Sequence, residues 1–316
     1  MPEIDLGGWP GLGNPHTLSV TPRADIFPGL KSFLDFVVDH RQWFATQQPH
    51  NEVALVYSIP SFLWNDVPLW QKYPHDHQVA FMAFGRAMEE GHVPYDVVIF
   101  GHPRLWDDTR SMARLAAYRT IIFPRVDCVS KSQWQAVNRF VRAGGRLVVG
   151  GNLPETANRD ENFNPRTGGN PQTLAKQPGQ GAVATVPMDI LQQFYKSAIE
   201  NATYAPTLRQ SILKPLGANS LLRTDAPAEV GINVFTAANI WILHLVNHQY
   251  QAGSDSIPPV DGFSISLRLP PTVTIRKASW FDASDNVAHD LDITHSGEYE
   301  VFRPPPLKVW DLIVLE

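Results

Sequence analysis

Residues 118–151, YRTIIFPRVDCVSKSQWQAVNRFVRAGGRLVVGG, read as one strand–helix–strand unit. Tyr118 to Pro124 is a short apolar run, β-branched at Ile121 and Ile122. Ser130 and Gln133 have the spacing of a capping box, in which each end of the motif satisfies an orphan backbone N–H of the other. Trp134, Val137 and Val141 then place an apolar stripe on one helix face. Gly144 and Gly145 supply the left-handed stop. Arg146 to Gly150 is a second continuous apolar strand. A strand apolar on both sides needs cover on both sides, so the unit predicts a parallel, doubly wound sheet.

Working outward, the same texture continues upstream. The spacing predicts a helix over 25–47, with Phe27, Leu30, Leu34, Val37 and Val38 on its apolar side and Pro28 in its first turn. Strands are expected at 52–59 and 96–100. Helices are expected at 77–90, closed by Gly91, and at 110–117. Four parallel strands therefore fall within 52–150. Residues 152–180, rich in Asn, Gly and Pro, read as a long surface loop. Residues 181–187 look like a return strand, and 188–214 read as helical with an interruption near Pro206. From about Leu221 the pattern changes to alternation, at Val230, Ile232 and Val234, at Ile240, Ile242 and Leu243, at Ile265, Leu267 and Leu269, and at Val309, Leu312 and Val314. Regular turns between such runs indicate a small antiparallel β-sandwich. The expected organisation is an arm and helix over 1–50, an α/β domain over 51–220 and a sandwich over 221–316. The boundary falls between Gly217 and Val230.

Composition narrows the function classes. A chain of 316 residues, 43% hydrophobic and 18% charged, can bury a large core without metal or disulfide staples. A net charge of −5 argues against nucleic acid and against an anionic membrane surface as partners. The single cysteine, Cys128, excludes an intrachain disulfide and a cysteine-based zinc site. No stretch has the apolar length of a membrane span or the layout of a secretory signal, so a cytoplasmic location is the default expectation. Gly150-Gly151 does not form the G-x-G-x-x-G pattern of a dinucleotide site. No cofactor is expected.

The α/β unit carrying FPRV before a capped helix and GG, followed by a β-rich tail with IWILHLVNHQY, SISLRLPP and KVWDLIVLE, resembles the C-terminal half of β-galactosidase-like glycoside hydrolases of family 42 and related members. The resemblance covers roughly residues 52–316. It implies a flavodoxin-like, glutamine-amidotransferase-like "trimerisation" domain followed by a terminal β-sandwich, with the 25–47 helix standing where the last helix of a catalytic barrel would be. The chain carries no counterpart of that barrel or of its two catalytic carboxylates, so no catalytic residue of the family transfers to it. Amidotransferase chemistry is not expected either. It needs a cysteine on a sharp G-x-C-x-G elbow, and Cys128 lies in PRVDCVSKS.

In open α/β sheets ligands bind beyond the carboxyl ends of the strands. Those ends carry Ser58, Asn65 and Asp66, then His102, Arg104, Asp107 and Asp108, then Arg125, Asp127 and Cys128, then Asn152 and Glu155. Glycoside hydrolysis requires a pair of carboxylates, which Asp66, Asp107, Asp127 and Glu155 could supply. The competing reading has them capping helices and pairing with Arg104 or Arg125. Trp64, Trp70 and Trp106 could stack on sugar rings, with His102, Arg104 and Arg125 as polar ligands of a carbohydrate. Their other use is packing at an interface. His75-Asp76-His77 could begin a metal site only with a third ligand such as His102 or Asp66, and otherwise caps the following helix through Asp76. No metal is expected.

Two functions follow. One is a non-catalytic accessory and oligomerisation module of a glycoside-hydrolase-like protein, working as a homo-oligomer, with a trimer favoured by the resemblance, or beside a separate catalytic barrel chain. The other is a stand-alone carbohydrate-active hydrolase with an acidic site on the 52–150 strand ends and the 152–180 loop as its lid. Phe27, Phe33, Phe36, Val37, Trp43 and Phe44 lie on more than one face of the 25–47 helix, more apolar surface than one sheet face requires, which also favours self-association; packing under the N-terminal arm and the β-sandwich is the competing reading.

Overall fold

The computed structural model describes residues 27–64, 74–167, 169, 171–175, 181–217 and 221–316. The chain opens with helices α1 (Phe27–Asp39) and α2 (Arg41–Thr46), then a two-residue strand β1 (Gln48–Pro49). The α/β part follows as β2 (Val53–Ser58), α3 (Ile59–Leu63), α4 (Asp76–Glu90), β3 (Tyr95–Phe100), α5 (Thr109–Arg114), β4 (Thr120–Pro124), α6 (Lys131–Arg142) and β5 (Arg146–Gly150). After α7 (Pro171–Ala175) come β6 (Val183–Val186), α8 (Met188–Phe194) and α9 (Pro206–Leu213).

Strands β2 to β6 form one parallel sheet in the order β3-β2-β4-β5-β6. Counted along the chain, that is a 2-1-3-4-5 doubly wound order. The strand expected at 181–187 is present as the fifth parallel strand, with Leu147 opposite Val183. Alternate residues of each strand face opposite layers. Ala54, Val56, Ile121, Phe123, Leu147 and Val149 pack against α6 through Trp134, Val137, Phe140 and Val141. Val53, Leu55, Ile122 and Val148 pack on the other side against Phe84, Ala87 and Met88 of α4 and Leu191 and Phe194 of α8. Each fully buried side chain of this kind contributes about 1.5–3 kcal/mol, which is why these strands are apolar throughout. The Ser130 box forms as expected. Gln133 N–H donates to Ser130 Oγ at 3.2 Å, and Ser130 N–H donates to Gln133 Oε1 at 2.7 Å. Gly144, at φ 99°, terminates the helix.

The remaining strands are β7 (Leu222–Thr224), β8 (Val230–Ala237), β9 (Ile240–Asn247), β10 (Ile265–Arg268), β11 (Ala278–Asp282), β12 (Val287–Asp290), β13 (Ile293–Ser296), β14 (Tyr299–Phe302) and β15 (Trp310–Leu315). They form two antiparallel sheets, β1-β8-β9-β15-β11-β12 and β13-β14-β10-β7. Val234, Leu243, Leu245 and Ile313 of the first meet Leu222, Ile265, Leu267 and Phe302 of the second in a shared core.

The larger sheet is covered on its outer face too. Phe36 is fully buried against Ile242, Phe281, Leu312 and Val314, with Phe33, Trp43 and Phe44 beside it. The expected single helix is thus two, broken at His40, and it lies on the sandwich. Most of its surplus aromatic surface is used inside one chain, although Leu34 and Val38 stay exposed. No helix among the described residues is long and apolar enough to cross a membrane.

Candidate functional site

In a 2-1-3-4-5 sheet the chain reverses its winding between the first and third strands, and the crevice beyond their carboxyl ends is where ligands sit. Here that point lies between β2 and β4, and among the described residues it is occupied by bonded side chains. Ser58, at the end of β2, is fully buried, and its hydroxyl donates to the Cys128 carbonyl at 3.1 Å. Ser61, in α3, accepts the Cys128 backbone N–H at 2.9 Å. From α4 comes His77, which is 3% exposed. Its Nδ1–H donates to the Pro124 carbonyl at 2.6 Å, and its Nε2 accepts the Ser58 N–H at 3.2 Å. One neutral imidazole therefore ties β2 to β4. Burial holds its pKa down at about 4, the Pro124 bond opposing only in part.

Both ring nitrogens of His77 being engaged, the His75-Asp76-His77 run does not present a ligand pair. The residue ahead of α4 is His75, whose N–H donates to Gln78 Oε1 at 3.1 Å, while Asp76 already lies within the helix. Among the described residues no His, Cys, Asp and Glu cluster could hold a metal ion. Cys128 is buried and free, with burial pushing its thiol up to about 12. Burial and a raised pKa are the opposite of the setting that activates a thiol.

Of the carboxylate candidates, Asp127 and Glu155 converge. Arg125, from the end of β4, pairs with Asp127 at 3.2 Å and with Glu155. Arg125 takes φ 51°, and Gly151, at φ 99°, leaves its guanidinium room: a Cβ there would lie 3.3 Å from Arg125 Cδ. Burial pushes the Asp127 carboxyl up to about 6, Arg125 opposing, with Glu155 and Asp76 adding to the rise. Asp107 stands apart. The Thr109 hydroxyl and, after it, the Thr109 N–H at 3.0 Å hold its carboxyl low as an exposed residue at the helix start. Asp108 receives the Gly101 N–H at 3.0 Å and Gln133 Nε2 at 2.6 Å. Asp66, Asn65 and Trp70 lie outside the described residues.

His102 joins two loops: its Nδ1 accepts the Arg104 N–H at 3.2 Å, and its Nε2–H donates to Asn162 Oδ1 at 3.4 Å. Arg104 is exposed. Trp64 and Trp106 are 46% and 48% exposed, and Leu63 and Leu105 are exposed beside them in the chain. The 152–167 stretch is no free flap. Ala157 N–H donates to Val126 O at 2.8 Å, Val129 N–H donates to Arg159 O at 3.1 Å, and Thr156 and Ala157 are fully buried. Sequence reading missed the staple made by Ser61 and His77. Its only trace was a polar Ser at the end of an otherwise apolar strand.

The sequence matches a family profile described as "Beta-galactosidase trimerisation domain" over residues 51–254. Among solved structures, alpha-L-fucosidase isoenzyme 2 from Paenibacillus thiaminolyticus aligns with a TM-score of 0.60 at 14% identity, over 89% of this chain and 50% of that one. A beta-galactosidase from Bacillus circulans sp. alkalophilus aligns with a TM-score of 0.52 at 12% identity, over 91% of this chain and 44% of that one. At such identities the likeness is one of fold, and the chain spans half or less of the length of these structures. No curated protein matches the sequence.

Proposed function

This chain belongs to the beta-galactosidase trimerisation domain family, and from that premise we propose that it is a non-catalytic accessory and oligomerisation module of a glycoside-hydrolase-like protein. Its partner is a second copy of itself, with a trimer favoured, or a catalytic barrel carried on another chain. The observation that carries the reading is the occupied crevice. Ser58, Ser61, His77 and Cys128 occupy the place where this topology binds substrates and spend their polar atoms on one another's backbone. An accessory module also needs an adhesive surface. Leu63 and Trp64 after β2 and Leu105 and Trp106 after β3 leave large apolar side chains in water at one end of the sheet. Light scattering with the purified chain tests the reading. A mass that is a multiple of 35.3 kDa at micromolar concentration is expected, and a mass of 35.3 kDa alone, with no binding to a barrel chain, overturns it.

A second reading has its own observation. Asp127, protonated at about pH 6 beside Glu155, is chemically suited to act as an acid on a glycosidic oxygen. Trp64 and Trp106 would then be sugar platforms. Turnover of chromogenic glycosides by the purified chain, lost in Asp127→Asn, would establish this reading and displace the first.

A further inference from the structure

At the opposite end of the parallel sheet, the amino ends of β2, β4 and β5 open on a cleft of about 730 Å³. Its walls come from the ends of α4, α6 and α9 and from Leu221 at the start of the β-sandwich. Ligand pockets of about 300–1,000 Å³ are typical, and junctions between structural units are a favoured place for them. The charge of the lining is unlike that of the chain. The whole protein carries −5, yet Arg119, Arg146 and Lys214 line the cleft against one carboxylate among the described residues, Glu52. Glu52 is held by Arg268 at 2.6 Å and by Arg119 at 3.6 Å. The lining is left with two positive charges in excess.

The backbone is shaped around one of those cations. Gly217, at φ 89°, lies against the Arg146 guanidinium, where a Cβ would come within 3.3 Å of Nε. Arg146 Nη1 donates to the Pro215 carbonyl at 3.4 Å, which steadies the fork. The carbonyl end of α6 borders the same space and would repel an anion. Its last carbonyls are capped, however, with Gly144 and Gly181 N–H on Val141 O and Gly145 N–H on Phe140 O. Gly144 leaves open space at its Cα, since a Cβ there would meet nothing within 4 Å.

We propose that this cleft binds a small phosphate monoester with a neutral, polar body. A phosphate monoester carries about −1.5 to −2 charges near neutral pH, which matches the excess on the lining. Inorganic phosphate would match the charge and leave most of the volume empty, whereas a hydroxylated body can fill it against Gln210 and the glycine backbones. The site is independent of how the chain associates, so it can fail or hold whatever its mass in solution.

The test is isothermal titration of the full chain with glucose 6-phosphate, glucose and inorganic phosphate, for the native protein and for Arg146→Met/Lys214→Met. Glucose 6-phosphate is expected to bind at millimolar concentration or below, more tightly than either fragment, and about tenfold or more weakly to the double variant. Absence of glucose 6-phosphate binding overturns the proposal. So does equal binding of inorganic phosphate, or unchanged affinity in the double variant. Should the double variant fail to show a native melting transition, Lys214→Met alone, at an exposed side chain, decides the same question with an expected loss of about threefold.

Discussion

Replacing His77 with Phe tests the staple between β2 and β4 directly. Phe keeps the ring and its contacts with Tyr57 and Phe81, whose centroids lie 5.3 and 6.5 Å away, and removes only the two polar bonds. Ser58 N–H then loses its acceptor in a buried place, and the Pro124 carbonyl loses its donor. A buried orphan group costs about 1–3 kcal/mol, so the variant should lose about 2–4 kcal/mol at pH 7.5. The deficit must depend on pH. In the native protein His77 titrates at about 4, below its ordinary 6.5. Between those values the unfolded chain binds a proton that the folded chain refuses. The stability His77 contributes is therefore complete above pH 6.5 and drains away as pH falls toward 4. From pH 7.5 to 4.5 the loss is about 2–3 kcal/mol. The Phe variant has no such proton, so its deficit should shrink by that amount over the same interval. Urea unfolding of both proteins at pH 7.5, 6.0 and 4.5, followed by circular dichroism, measures the gap. A gap that stays constant or widens toward acid refutes the assigned tautomer and the neutral, buried state of this histidine.

Three further outcomes are expected. Cys128 should resist thiol reagents in the native protein and react promptly in denaturant, and Cys128→Ser should melt as a folded protein, because the sulfur is buried with its thiol pushed up to about 12. Asp311, 1% exposed and opposite Asp282 in the β11–β15 ladder, has its carboxyl pushed up to about 7 by burial, with the Trp280 indole bond opposing. A raised carboxyl pKa drains stability as pH rises, so Asp311→Asn should be more stable than the native protein by about 1–3 kcal/mol at pH 8, with the gain shrinking toward pH 5 in thermal melts. Brief proteolysis should nick the chain first between Gly217 and Val230, the proposed boundary of its two parts, and early cleavage confined to another region would count against that boundary.

How much of this was legible depends on where each signal resides. The 118–151 unit was readable because its cap, its stripe and its glycine stop are all local, and local chemistry needs no partner. The strand at Val183–Val186 was legible as a strand, but four residues carry no direction in their composition. The N-terminal helices were readable as helices and not as neighbours. Phe33, Phe36, Trp43 and Phe44 could pack under the β-sandwich or against another copy of the chain, and their own pattern does not choose between the two. The answer lies in β9 and β15. IWILHLVN and WDLIVL are apolar on both sides, which only a sheet covered twice requires. Reading Ile240, Ile242 and Leu243 as one face mixed the two, for Ile242 meets Phe36 outside and Leu243 the inner core. Arg125 and Asp127 were close enough in sequence to be paired on paper. His77 was not, because its partners lie 19 and 47 residues away.

The carboxyl end of the sheet can be judged by what a catalytic pocket and an interface each require. A pocket needs concavity and a pair of carboxylates with distinct proton affinities. An interface needs exposed aromatic and aliphatic anchors at its centre, arginine among its polar groups, and a rigid support. Here the crevice is closed by backbone bonds from Ser58, Ser61 and His77, and the 152–159 backbone is tied down along 126–129. The two converging carboxylates share one arginine, which spends its fork on holding Asp127 and Glu155 together. Holding Arg125 at φ 51° costs about 1–2 kcal/mol, and the structure meets that cost to fix a charged group at the rim. Beyond it Leu63, Trp64, Leu105 and Trp106 are exposed; α3 is bonded to Cys128 through Ser61, and the 102–106 turn is bonded through His102 to Arg104 N–H and to Asn162. Exposed aromatic and aliphatic side chains beside one arginine paired with two carboxylates are the features that the proposed docking role calls for at this end of the sheet.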